Sequence, residues 1–166
     1  MKLKSVILII NKMIDIIFSR LSSKPSIYLY PNKFAPKSKI EIKEDFINVN
    51  GYQKFIIYKN KILPNGDSYD LVNKYNLLKE DLIKKLSGKT FLDLGANSGF
   101  FTFLAHQNGA TCTAIDMDNE YIEIIKKITS HYNYNIRIQQ TNISKWNESA
   151  DIVYALSLIH WIYSCT

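Results

Sequence analysis

The stretch Phe91 to Phe101, FLDLGANSGFF, constrains what this chain can fold into more than any other. An apolar strand, Thr90 to Leu94, runs through Asp93 and Gly95 into a helix expected from about Ser98 to Gln107. Glycine has no Cβ, so Gly95 and Gly99 let the backbone approach a ligand closely. Twenty-one residues after Gly95, a second buried strand (TCTAI, Thr111 to Ile115) ends in Asp116. A carboxylate there can accept both hydroxyls of a ribose, which neither strand packing nor turn formation requires. In open α/β sheets, ligands bind in the crevice beyond the strand C-termini.

The rest of the chain from Asp70 fits that frame. Leu71, Leu77, Leu78, Leu82, Ile83 and Leu86 recur at helical spacing and Ser87-Gly88 stops them, so a helix is expected over Asp70 to Leu86. Asp118 can cap a helix over Asn119 to Tyr132, and Asn135 to Gln140 and Asp151 to Leu156 read as two further strands. Strands separated by helices imply a parallel sheet covered on both faces. The group Phe100, Phe101, Phe103 and Leu104 reads as core.

The first 69 residues have a different character. Leu3 to Leu21 is apolar but interrupted by Asn11, Lys12 and Asp15, so it is too short of unbroken apolar sequence to span a bilayer. It also lacks a plausible signal cleavage site. Drawn as a helix it is amphipathic, which gives an N-terminal element over 1–24. Pro25, Pro31 and Pro36 mark a linker, and IEIKEDFINV, Asn50-Gly51 and YQKFIIYKN read as two strands about a tight Asn-Gly turn. A third short strand is expected at Lys61-Ile62-Leu63. The organisation is therefore 1–24 amphipathic helix, 25–69 linker and hairpin extension, and 70–166 α/β domain.

With 46% apolar and 13% aromatic residues the chain can build a core. Its net charge of +6 is an N-terminal property, because Met1 to Asn60 holds 11 Lys/Arg against 4 Asp/Glu and the remainder holds 10 against 11. That skew suits an anionic membrane face or a nucleic-acid backbone, although solvated lysine is the simpler reading. Cys112 and Cys165 form no disulfide framework, and His106, His131 and His160 form no cluster, so no metal is expected. A reducing, cytoplasmic setting follows as the default, with the amphipathic helix leaving peripheral attachment at a membrane surface open.

Taken together, Asp93-x-Gly95-x-Asn97-x-Gly99 and Asp116 at the end of the second strand resemble the class I S-adenosylmethionine (SAM) dependent methyltransferases, which have a Rossmann-like α/β fold. The resemblance implies that Asp93, Gly95, Asn97 and Gly99 border the methionine part of SAM. It implies that Asp116 holds the ribose hydroxyls with Met117 beside the adenine, and that Asn142 can reach the adenine amino group. A dinucleotide fingerprint fits less well, since G-x-G-x-x-G would need glycine where Asn97 and Phe100 stand and no acid at Asp93.

The same resemblance implies seven strands in the order 3-2-1-4-5-7-6, of which this chain would supply 3-2-1-4, with strands five to seven missing. A truncated enzyme is then expected, open along the edge of its fourth strand and prone to self-association or to recruiting a partner chain there. No catalytic base stands out. His160, beside Trp161 after the fourth strand, is a candidate, and packing on the sheet explains it equally well. Tyr154 and Ser157 read as packing or capping residues. The loop after strand four is not the N-P-P-Y type that goes with methylation of base amino groups, and the acceptor stays open. The competing readings are a non-catalytic SAM-binding remnant or partner subunit and a peripheral membrane protein.

Overall fold

The computed structural model describes residues 38–66, 69–84 and 86–156. The expected amphipathic helix, the proline-bearing linker up to residue 37, Ser157, His160 and Trp161 lie outside them.

Four strands, β1 (Lys39–Lys43), β2 (Phe46–Asn50), β3 (Phe55–Tyr58) and β4 (Lys61–Pro64), form an antiparallel meander in chain order. This corrects the expected hairpin in two ways. IEIKEDFINV is not one strand but two, turned at Glu44-Asp45, and Asn50-Gly51 is not the tight turn. A two-residue turn there would set Ile47 opposite Lys54. Instead Val49 pairs with Phe55 and Ile47 with Ile57, which puts all four apolar side chains on the buried face. The tight turn falls at Lys59-Asn60, both with positive φ (44° and 61°), the conformation that joins twisted strands in a two-residue loop. Gly51 serves another purpose, because a Cβ at that position would stand 2.8 Å from Ser38 Cβ.

After helix α1 (Tyr69–Lys84), the chain alternates β5 (Thr90–Leu94), α2 (Phe100–Gln107), β6 (Thr111–Asp116), α3 (Asn119–Tyr132), β7 (Ile136–Gln140) and β8 (Ile152–Tyr154). These four strands make a parallel sheet in the order β7-β6-β5-β8. The Asp118 side chain accepts the Glu120 amide at 2.9 Å, which caps α3 as its sequence anticipates.

Helix α2 explains how the two sheets come together. Its residues Phe100 to Ala105 are all buried, Thr102 among them, so the helix needs cover on both sides. The parallel sheet supplies one side and the meander the other: Phe55 meets the Phe100 ring edge-on at 5.5 Å and lies 6.3 Å from Phe103. One apolar cluster consequently runs from Ile47, Val49 and Ile57 through α2 to Cys112, Ile125 and Ile136. The opposite face of the parallel sheet carries Leu92, Leu94 and Ile115, covered by Ile143, Trp146 and Ala150 from the segment between β7 and β8. Among the described residues that face is thus covered by an irregular segment and a single 3-10 turn (Ile143–Lys145).

At the strand N-termini the meander is fastened down. The Gln107 amide donates to Asn60 and to the Tyr134 hydroxyl (3.3 Å), the Tyr134 hydroxyl donates to Asn60, and the His131 ring nitrogen lies 3.2 Å from the Glu44 carbonyl. The shallow cleft that Asn60, His106, Gln107, Asn108 and Tyr134 line there is largely knitted by these bonds. Among the described residues no helix is long and apolar enough to cross a membrane, and no group of His, Cys, Asp and Glu could hold a metal ion.

Candidate cofactor site

The parallel register Leu94↔Ile115 brings the C-terminal ends of β5 and β6 side by side, so the glycine turn and Asp116 meet. The amides of Gly95 and Ala96 both donate to the Ile115 carbonyl at 2.9 Å, and the Gly99 amide donates to the Ala96 carbonyl at 2.9 Å. Gly95, Asn97 and Gly99 all have positive φ (71°, 53° and 88°), an alternation that folds the turn tightly over the ends of the strands. Asparagine is among the few side chains that tolerate this region, because its short polar group can bond locally. Here Asn97 Oδ1 accepts the Ser98 amide at 2.8 Å. Gly99 has a second reason to lack a side chain: a Cβ would sit 2.8 Å from the Phe103 ring and 3.0 Å from Ile125.

Asp116 is 8% exposed, and its two oxygens are held apart by the two loops. Oδ2 accepts the Asn97 amide at 2.8 Å and Oδ1 accepts the Asp118 amide at 2.9 Å. Burial pushes this carboxyl up, and those amides together with that of Met117 pull it back. A carboxylate offers about four acceptor positions, so Asp116 can still receive a ribose hydroxyl while bracing both loops.

Asp93 lies deeper, under the start of α2. Its Oδ2 accepts the Thr102 hydroxyl at 2.7 Å. Burial, with the Asp116 charge adding, pushes its pKa up to about 7, and the Thr102 hydroxyl and amide oppose the rise. The carboxyl is thus engaged with Thr102, and its visible work is to tie β5 to α2. On the next strand, Cys112 is an inert thiol, pushed up to about 12 by burial.

The remaining expected residues flank this centre. Met117 is exposed, with its carbonyl accepting Gln140 Nε2 at 3.4 Å, and the Thr141 amide donates to the Asp116 carbonyl at 3.0 Å. That bond carries Asn142, half-buried after β7, to the same edge of the sheet. Tyr154 packs on the rings of Phe91 and Phe101 at 4.8 and 5.9 Å. His160 is outside the described residues.

Three participants were not anticipated. Thr102 is the lone polar residue in FFTFLA, which is a signal in itself. Tyr121, buried on α3, hydrogen-bonds the Asn97 side chain. Gln53, from the loop between β2 and β3, accepts the Phe100 amide at 3.2 Å across 47 residues of sequence.

Residues 91–165 match the sequence model of a family described as a methyltransferase domain. Over this stretch the chain is similar to methyltransferase domains. It is also 31% identical over 96 residues to the ubiquinone biosynthesis O-methyltransferase of Actinobacillus pleuropneumoniae serotype 5b (strain L20). That match takes in 55% of this chain and 41% of the relative, so the chain spans about two fifths of that protein's length. Among solved structures, it resembles a ribosomal protein L11 methylase from Lactobacillus delbrueckii subsp. bulgaricus at 22% identity, with a TM-score of 0.42 over 48% of this chain and 44% of that one. It resembles a coclaurine N-methyltransferase, crystallised with N-methylheliamine and SAH, at 22% identity, with a TM-score of 0.44 over 54% of this chain and 29% of that one. SAH, the demethylated form of SAM, is the nucleoside in that last structure. The buried, doubly anchored carboxylate of Asp116 beside a turn of three left-handed residues fits such a nucleoside ligand.

Proposed function

We propose that this chain acts as a SAM-dependent methyltransferase, and that its four parallel strands are the first four of the class I sheet. The observation that carries the reading is Asp116, a buried carboxylate braced between the glycine turn and the start of α3. In this reading Asp116 receives the ribose hydroxyls, Gly95, Asn97 and Gly99 border the methionine part, and Met117 and Asn142 flank the adenine. When bound, SAM supplies an activated methyl on a sulfonium that is its own leaving group. The protein's share is then to hold the nucleoside and aim the methyl at an acceptor, which is chiefly positioning. The relative's name concerns an O-methyltransferase, which puts oxygen acceptors first in a panel.

S-adenosylhomocysteine should raise the melting temperature of the full chain and NADH should not, because only a ligand that binds the native state stabilises it. Asp116→Ala should weaken S-adenosylhomocysteine binding by about 1.5 to 3 kcal/mol, the range for hydrogen bonds to a charged group. Stabilisation by NADH alone, or unchanged affinity in a folded Asp116→Ala protein, would overturn the assignment.

A further inference from the structure

Helix α2 begins at a residue that cannot cap it. Gly99 has no side chain, and the first turn carries no acidic residue. The backbone donors of a helix start still need partners. They find them outside the helix, with Thr102 served by Asp93 on the preceding strand and the Phe100 amide by Gln53 Oε1, 47 residues away, at 3.2 Å. Gln53 stands on the loop after Gly51, and Gly51 is closed against Ser38. The Ser38 amide in turn donates to Glu120, in the first turn of α3. The same edge of the meander therefore reaches the start of both helices that leave the candidate cofactor site, α2 just after Gly99 and α3 just after Asp118.

We infer that Gln53 is a positioning residue for the cofactor turn, and that the meander is part of the binding apparatus as well as cover for α2. This rests on the cofactor reading above. The turn runs from Asn97, whose amide is on Asp116, to Phe100, whose amide is on Gln53, so it is pinned at both ends. In that reading the amino-acid end of the ligand would border Gly95, Asn97 and Gly99, the stretch of turn that leads to the start of α2. Removing the Gln53 acceptor frees that end of the turn and leaves the Asp116 end in place. The loss should consequently fall on the part of the ligand that lies over Gly99.

The test compares two ligands on the full chain by calorimetry: S-adenosylhomocysteine, and 5′-methylthioadenosine, which keeps the nucleoside and lacks the amino-acid end. Gln53→Met removes the acceptor at nearly constant volume, and Gln53→Ala removes acceptor and bulk, with far-UV circular dichroism checking the fold of each. Gln53→Met should weaken S-adenosylhomocysteine by roughly three- to tenfold, as one net hydrogen bond allows, and 5′-methylthioadenosine by less than about twofold. Equal losses for the two ligands would make Gln53 a structural cap only and overturn the inference, as would unchanged affinity for both. A wild-type chain that binds neither ligand would remove the cofactor reading itself, an outcome distinct from wild-type binding that Gln53 does not influence.

Discussion

Asp93 shows how far a single side chain can be pushed by its surroundings. A carboxyl at about 7 in the folded chain, against about 3.9 when exposed, favours the protonated form on folding. A raised acid contributes stability that is fully present below the unfolded value and lost as pH rises through the folded one. The melting temperature should therefore fall between about pH 4 and pH 7, each unit in that window costing up to about 1.4 kcal/mol. Asp93→Asn keeps an acceptor for Thr102 and has no charge to desolvate, so its calorimetric melting temperature should change much less over the same range. A wild-type profile that rises with pH in that window would show that Asp93 stays ionised. The placement of Asp93 and Asp116 near the ends of adjacent strands was legible in the sequence because each stands in fixed register with a strand end. Gln53 and Tyr121 were not, because their partners are chosen by the packing of distant elements.

At the level of elements, α2 and the meander form a single packing unit. The helix sequence FFTFLAHQ announces that it is buried, but not by what, and the strand sequences announce alternation but not register. Asn50-Gly51 is a strong local turn signal, and it lost to the requirement that Ile47, Val49, Phe55 and Ile57 face α2 together. That competition is why β3 and β4 could be read while the turns, and the division of IEIKEDFINV into β1 and β2, could not. Phe55, fully buried against Phe100 and Phe103, is the centre of the contact. Phe55→Ala should cost about 3 to 5 kcal/mol in urea denaturation, the range for truncating a buried phenylalanine. A loss below about 1 kcal/mol would mean that the meander contributes little to the fold.

For the whole molecule, the continuous cluster from Ile47 through Phe103 to Ile136 predicts that the two sheets unfold together. Among the described residues neither has an alternative partner for its buried face: without the meander, Phe100 and Phe103 lose the cover that Phe55 gives them, and without α2, Phe55 loses Phe100 and Phe103. Two probes on opposite sides of the molecule test this. Trp146 covers the far face of the parallel sheet, so its fluorescence in a Trp161→Phe background reports that side. Amide exchange at Ile56 and Ile57 in β3 reports the meander. The free energies from the two should agree, as a cooperative two-state domain requires. Adding S-adenosylhomocysteine should then slow exchange in β3 by the same free energy by which it shifts the Trp146 transition, since a ligand that binds only the native state stabilises every part that unfolds with it. Early, ligand-insensitive exchange in β3 would separate the meander from the cofactor-binding part and break the chain of contacts from Phe55 through α2 to the turn at Gly99.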